Sequence, residues 1–158
     1  MRNSDWDSVA QIYLEGIQTG YATFEVTVPS WSEWDHSHMK TCRLIAEIGD
    51  QVAGWAALSP VSSRCVYAGV AEVSIYVSPE MRGKKVGSHL LKKLIEESEQ
   101  HGIWTLNAGV FPQNKASLKL HQKLGFRMVG VKERVGKLHD TWYDNCLLER
   151  RSDRIGMD

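Results

Sequence analysis

Arg82-Gly83-Lys84-Lys85-Val86-Gly87-Ser88 is the stretch from which the rest of this chain can be read. It lies between a strand pattern, Ala71–Val77, and a helix pattern running from about Val86 to Gln100. A glycine-bearing turn that opens a helix leaves several backbone N–H groups free and aimed at one spot. The helix dipole adds partial positive charge there, so the turn suits a diphosphate. It has neither the Gly-x-x-x-x-Gly-Lys-Ser/Thr spacing of a Walker loop nor Gly-x-Gly-x-x-Gly, and the two usual nucleotide readings are poorly supported.

Working outward, Ser4 is a candidate N-cap for a first helix in which Val9, Ile12, Tyr13 and Ile17 recur at helical spacing, with Gly20 beyond its end. Tyr21–Val28 reads as an irregular link. Ser30-Trp31-Ser32-Glu33 has capping-box form and opens a short helix to about Met39. Cys42–Ile48 and Gln51–Leu58 read as a hairpin around Gly49-Asp50, and Ser59–Gly69 as a loop. After the glycine turn and its helix come a buried strand at Trp104–Val110 and a helix at Asn114–Leu124 closed by Gly125. Phe126–Glu133 and Trp142–Leu148 form a last antiparallel pair. Helices interleave with strands on one mixed sheet, an α+β (α/β three-layer) architecture. Residues 1–150 are expected to form a single domain, and 151–158 a charged C-terminal tail that frays.

Composition narrows the function. Nineteen basic and nineteen acidic side chains cancel, so no net field recruits nucleic acid or an anionic membrane surface. No apolar run approaches the ~20 residues of a membrane span, and the N-terminus lacks a signal-peptide core, so the cytoplasm is the expected location. Cys42, Cys65 and Cys146 are scattered and are expected to be reduced, buried thiols; with no Cys-x-x-Cys spacing, no metal site is expected.

Glu72 stands out within its strand. Alternation puts Glu72, Ser74 and Tyr76 on one face and Val73, Ile75 and Val77 on the other. A carboxylate flanked by apolar residues is costly to bury unless it is paired or functional, and it could take a proton from an amine. The bland alternative is a salt-bridged strand-start glutamate.

The glycine turn is followed about thirty residues later by Asn114-Lys115-Ala116-Ser117-Leu118-Lys119-Leu120-His121-Gln122-Lys123-Leu124-Gly125-Phe126. Together, in this order, the two segments resemble the core of the GNAT superfamily of N-acetyltransferases. Ala71–Val77 and Gly136–Asp144 are most similar to the phosphinothricin and methionine sulfoximine acetyltransferases within it. The resemblance implies a GNAT-like mixed, mostly antiparallel central sheet with helices on both faces, and acetyl-CoA as co-substrate. The implied reaction is direct acetyl transfer to the α-amine of a small amino acid or analogue. A protein or peptide amine acetyltransferase, or a CoA-binding sensor module without turnover, are the rivals. A small-molecule amine would be the partner, and a homodimer is a further possibility the family suggests.

Residue by residue, the resemblance assigns Glu72 as base and His121 as the acid for the departing thiolate. Backbone groups of Ile75, Tyr76 and Val77 would hold the pantetheine amides and the thioester oxygen, and Arg82 to Ser88 the diphosphate. Asn114 would steady the pantetheine arm, and Ser117 and Lys123 would reach the phosphates or the adenosine end. Arg64 aligns with a family arginine that could grip a substrate carboxylate; Phe24 and His139, with Glu72, would complete the acceptor slot. One departure concerns Lys85, which stands where the family usually has glycine. If that backbone needs positive φ, lysine costs about 1 kcal/mol there.

Overall fold

The computed structural model describes residues 1–157; Asp158, the last residue of the expected tail, lies outside them. One sheet of six strands runs in the order β1-β2-β3-β4-β6-β5. The strands are β1 (Arg43–Ile48), β2 (Gln51–Pro60), β3 (Val70–Val77), β4 (Thr105–Val110), β5 (Arg127–Leu138) and β6 (Thr141–Arg151). All neighbours are antiparallel except β3 and β4. The expected mixed, mostly antiparallel sheet is therefore present.

Four helices cover the sheet: α1 (Trp6–Gln18), α2 (Trp31–Ser37), α3 (Val86–Gln100) and α4 (Lys115–Lys123). None is long and apolar enough to cross a membrane. The period-2 pattern of β3 divides the interior in two. Val73, Ile75 and Val77 pack with Leu90, Leu91 and Leu94 of α3 and Leu118 and Leu120 of α4. Tyr76 points the other way, into a second core with Ile12 and Tyr13 of α1, Trp34 of α2 and Trp55 of β2. The Trp55 and Tyr76 rings stack with centroids 4.8 Å apart.

The helix signals work locally as the sequence suggests. The Ser30 hydroxyl accepts the Glu33 N–H at 3.3 Å while the Glu33 carboxylate accepts the Ser30 N–H at 2.8 Å, so the capping box closes. The first helix differs: a 3-10 turn over Asn3–Asp5 precedes it and Asp5, not Ser4, is its N-cap residue. The Asp5 carboxylate accepts the Arg2 N–H, which stabilises that extra turn.

Two further expectations need correction. The C-terminal segment does not fray through Arg154. β6 continues to Arg151, and the Ser152 N–H donates to the Trp104 carbonyl at 2.7 Å. The Ser152 hydroxyl donates to Glu99 at 2.9 Å, and Arg154 and Arg150 each approach the same carboxylate at 3.3 Å. The charges that suggested a solvated tail are the ones that tie it to α3. Of the cysteines, Cys42 and Cys146 are buried, but Cys65 is exposed in the loop after β2.

Candidate active site

The β3–β4 pairing is short. It covers Val70↔Thr105, Ala71↔Leu106 and Glu72↔Asn107, after which the strands part. On its other side β3 stays paired with β2 as far as Val77. The Ser78 N–H donates to the Ala53 carbonyl at 2.9 Å. Antiparallel alternation then makes Trp55↔Tyr76 and Ala57↔Ser74 the hydrogen-bonded pairs with β2. The backbone groups of Ile75 and Val77 consequently turn toward the gap, where no strand meets them. Backbone groups need partners, and an extended ligand carrying amides could supply them.

A cavity of about 670 Å³ fills this fork. At one end it is lined by Arg82, Gly83, Lys85, Val86, Gly87 and Ser88, the turn and first residues of α3. Gly87 matters sterically: a Cβ there would stand 3.2 Å from Leu120 Cδ2 and 3.5 Å from Val77 Cγ2. Its absence leaves the helix start open to an approaching anion. Lys85 sits in the left-handed region at φ 63°, so the strain foreseen from its sequence is present. Lys85→Gly is expected to raise thermal stability by about 1 kcal/mol or less, because relief of that strain is partly offset by glycine's greater unfolded-state entropy. The same change should weaken acetyl-CoA binding through loss of a nearby ammonium; paired melting curves with and without acetyl-CoA check both effects.

The middle of the cavity is walled by Asn114, Ser117, Leu120 and His121 from α4 and its N-cap. The Asn114 side-chain oxygen accepts the Ser117 N–H at 3.1 Å, so it caps the helix and leaves its amide nitrogen for other contacts. His121 is 2 % exposed. Its Nδ1 lies 2.8 Å from the Ser117 carbonyl. A carbonyl can only accept, so Nδ1 carries the proton, and Nε2, buried and without a partner, presents a lone pair. Burial holds this imidazole below the usual histidine range, against a smaller opposing effect of the Ser117 carbonyl. The ring is thus neutral at neutral pH and set as an acceptor. The imidazolium that the acid role expected of His121 would need is disfavoured here, because desolvation outweighs the one hydrogen bond that favours the charged form.

His38 is shifted in the same direction, by burial first; it stacks on Trp34 at 4.1 Å. Both histidines bind a proton less readily folded than unfolded. Their contribution to stability is full above the unfolded pKa of ~6.5 and is lost as pH falls below it. The melting temperature should therefore drop between about pH 7 and pH 5, and His38→Gln should shrink the drop; melting curves across that range measure it.

The other end of the cavity lies on the α1 side of the sheet. It is lined by Tyr13, Thr23, Phe24, Glu25, Glu72, Ser74, Tyr76, Phe111 and Asn145. Gly16 of α1 lets Tyr76 lie against the helix, since a Cβ at that position would come within 2.6 Å of the ring. Burial pushes the Tyr76 phenol far above the ordinary tyrosine range, with the neighbouring Tyr13 and the Glu25 charge adding to the shift. Phe24 packs on Phe111 with centroids 4.5 Å apart, and Phe111 meets the Tyr143 ring edge-on at 5.6 Å, so the link after α1 forms a wall over the fork.

The fold thus brings together Glu72, Ile75, Tyr76, Val77, Arg82, Gly83, Lys85, Val86, Gly87, Ser88, Asn114, Ser117, His121 and Phe24. It does not bring four expected residues to the cavity wall. Arg64 is exposed on the loop after β2, its guanidinium 5.6 Å from the Tyr67 ring centroid. His139 is exposed in the β5–β6 turn, at φ 52°. Lys84 turns back toward Met81 Sδ at 3.3 Å, and Lys123 is exposed at the end of α4. Arg64, His139 and Lys123 are exposed outside the cavity lining, on loops or a helix face whose direction the local sequence does not encode, whereas Lys84 stays in the turn beside the lining residues Met81, Gly83 and Lys85. Tyr13, Thr23, Glu25 and Asn145 are the additions. Of these, only Glu25 beside Phe24 offered a hint, a carboxylate next to an aromatic in an irregular link. Among the described residues no group of three His, Cys, Asp or Glu side chains is placed to hold a metal ion.

Comparison with known proteins bears on this geometry. The acetyltransferase (GNAT) family matches residues 6–126. A phosphinothricin N-acetyltransferase of Alcaligenes faecalis is 33% identical over 157 residues, covering 95% of this chain and 79% of that one. Among solved structures, a GNAT superfamily phosphinothricin acetyltransferase from Sinorhizobium meliloti in complex with acetyl-CoA superposes with TM-score 0.85 at 28% identity, covering 100% of this chain and 94% of that chain. A ribosomal-protein-alanine N-acetyltransferase from Brucella melitensis superposes with TM-score 0.89 at 27% identity, covering 96% and 97%. A forked sheet beside a glycine-opened helix start, carried on this fold, fits an acyl-CoA-dependent acyltransferase. The chain belongs to the acetyltransferase (GNAT) family; it is an N-acetyltransferase, and acetyl-CoA is its co-substrate.

Proposed function

We propose that the protein transfers the acetyl group of acetyl-CoA directly to the α-amine of a small amino acid or amino-acid analogue. The observation that carries this reading is the fork itself. Unmet backbone groups of Ile75 and Val77 open onto a cavity with a cationic turn at one end and carboxylates at the other. The residues fit the co-substrate: the start of α3 takes the diphosphate, and the strand edge takes the pantetheine amides. A free β3 N–H toward the thioester oxygen would stabilise developing charge, a contribution of about 3 kcal/mol where such donors have been removed elsewhere.

In this reading Glu72 removes a proton from the incoming ammonium, through water, before the nitrogen attacks. When the neutral amine has attacked, the proton still to be lost from its nitrogen passes to the departing sulfur, and the thiol so formed donates a hydrogen bond to Nε2 of the neutral His121, which holds the leaving group in place. Tyr13, Phe24 and Phe111 limit the acceptor's size. Similarity to a phosphinothricin N-acetyltransferase supports an amino-acid-like acceptor. Likeness to a ribosomal-protein-alanine N-acetyltransferase favours a second reading, in which the amine is a peptide N-terminus.

A thiol-release screen with acetyl-CoA tests both. The acceptors would be free amino acids, phosphinothricin and methionine sulfoximine, and a short peptide with N-terminal alanine. Release with the free amino acids or analogues supports the first reading. Release with the peptide alone would replace it by the second.

A further inference from the structure

The charges that line the cavity are sorted by sign along its length. Its cationic side chains, Arg82 and Lys85, both lie in the turn before α3. Its carboxylates, Glu25 and Glu72, both lie at the acceptor end. From Glu72 to Val77, the last residue of the strand, β3 extends about 16 Å at ~3.3 Å per residue. None of the ion pairs among the described residues involves Glu25 or Glu72. Between the two charged ends, the buried and unpartnered Nε2 of His121 marks where a ligand atom completes the wall.

The titratable groups that line this end of the cavity with Glu25 are the Tyr13 phenol from α1 and the Tyr76 phenol and Glu72 carboxylate from β3. Asn145 from β6 is uncharged, and none of these groups is a cation. Glu25 lines the same end of the cavity as both phenols, and its charge adds to the upward shift that burial gives each of them. The turn that positions it does not depend on the side chain, because the Glu25 backbone N–H donates to Thr23 Oγ at 3.1 Å.

We infer that Glu25 is the positioning residue for the acceptor, its carboxylate drawing the amine into the chamber as an ammonium and handing it to Glu72 for deprotonation. This rests on the reading of the fork as an amine-acetylating site. The two glutamates divide the work: Glu25 acts on binding and Glu72 on proton removal. Glu25 carries no proton away and enters no bond change, so its loss should fall on acceptor affinity.

The test uses Glu25→Gln and Glu25→Asp in the full chain, with two acceptors. One is the best amino acid from the screen. The other is the amine in which a trifluoromethyl group replaces its carboxylate, a base too weak to be charged at neutral pH. Acceptor affinity is read by thermal shift in the presence of CoA, which needs no turnover, and by steady-state kinetics. For the charged acceptor, Glu25→Gln should raise Kd and KM about five- to tenfold, the low end for a charge-assisted contact because the link is open to solvent. For the uncharged amine both constants should stay within about twofold, as should kcat and the KM for acetyl-CoA. Glu25→Asp should recover part of the loss.

An unchanged constant for the charged acceptor would overturn the proposal, as would an equal rise for both amines, since either outcome leaves Glu25 no electrostatic role. Loss of the CoA-dependent shift in the wild-type protein would instead strike the reading of the fork. The two failures are therefore distinguishable.

Discussion

Gly87→Asp is expected to abolish the rise in melting temperature that acetyl-CoA gives the wild-type protein. At a hundredfold excess over Kd, mass action stabilises the folded state by about 2.7 kcal/mol, or roughly 5–10 °C for a chain of this size. The substitution acts in two ways. It places atoms where the wild-type glycine leaves only 3.2 Å to Leu120 Cδ2 and 3.5 Å to Val77 Cγ2. It also brings a carboxylate into the first turn of α3, where the diphosphate is proposed to sit. Without ligand the fold should survive, because an acidic side chain near a helix start is favourable by about 0.3–1 kcal/mol, which offsets part of the contact. Melting curves with acetyl-CoA, and with NAD and ATP at equal concentration, measure the effect. NAD and ATP should shift the wild type much less; equal shifts from all three would describe a generic phosphate site.

Glu72→Gln is expected to lower kcat about a hundredfold near neutral pH, the lower part of the range for loss of a general base. The defect should shrink as pH rises through the pKa of the acceptor amine, because the free amine then appears without help. Acetyl-CoA affinity should be unchanged. Profiles of kcat against pH for wild type and variant check this. A defect that is constant across pH would assign the Glu72 carboxylate to positioning instead of proton removal.

The framework of this site was legible because it rests on short-range signals. The Val86–Gln100 helix has the bounds that its leucine spacing and preceding glycine turn suggest. The role of Asn114 as an N-cap follows from its place before Lys115–Lys123. The alternation of β3 fixed the opposite faces of Tyr76 and Val77. What local pattern could not supply was direction over long range. Tyr13, Glu25 and Asn145 meet at the acceptor end from a helix, an irregular link and a late strand, and no sequence period relates them. Arg64 and His139 looked suitable by chemistry, but each sits on a turn that points to solvent. His121 is legible from its motif, while its tautomer follows only from the Ser117 carbonyl beside Nδ1.

The acceptor end also joins the two halves of the fold. Tyr76 is held by stacking on Trp55 and by the close approach of Gly16, so the chamber wall belongs to the α1 core. Ile75 and Val77, its neighbours in β3, belong to the α3 core and present the backbone edge. In the proposed reading a single strand thereby serves the co-substrate by its main chain and the acceptor by its side chains.

The most direct test of direct transfer within this fork is a stoichiometric one. Wild-type protein is mixed with acetyl-CoA and an amino-acid acceptor; free thiol, N-acetylated product and intact protein mass are then followed together. The account predicts thiol and N-acetyl amino acid appearing one for one, only when the amine is present, with the protein mass unchanged. Thiol release indifferent to the amine, or an acetyl group left on the protein, would contradict it.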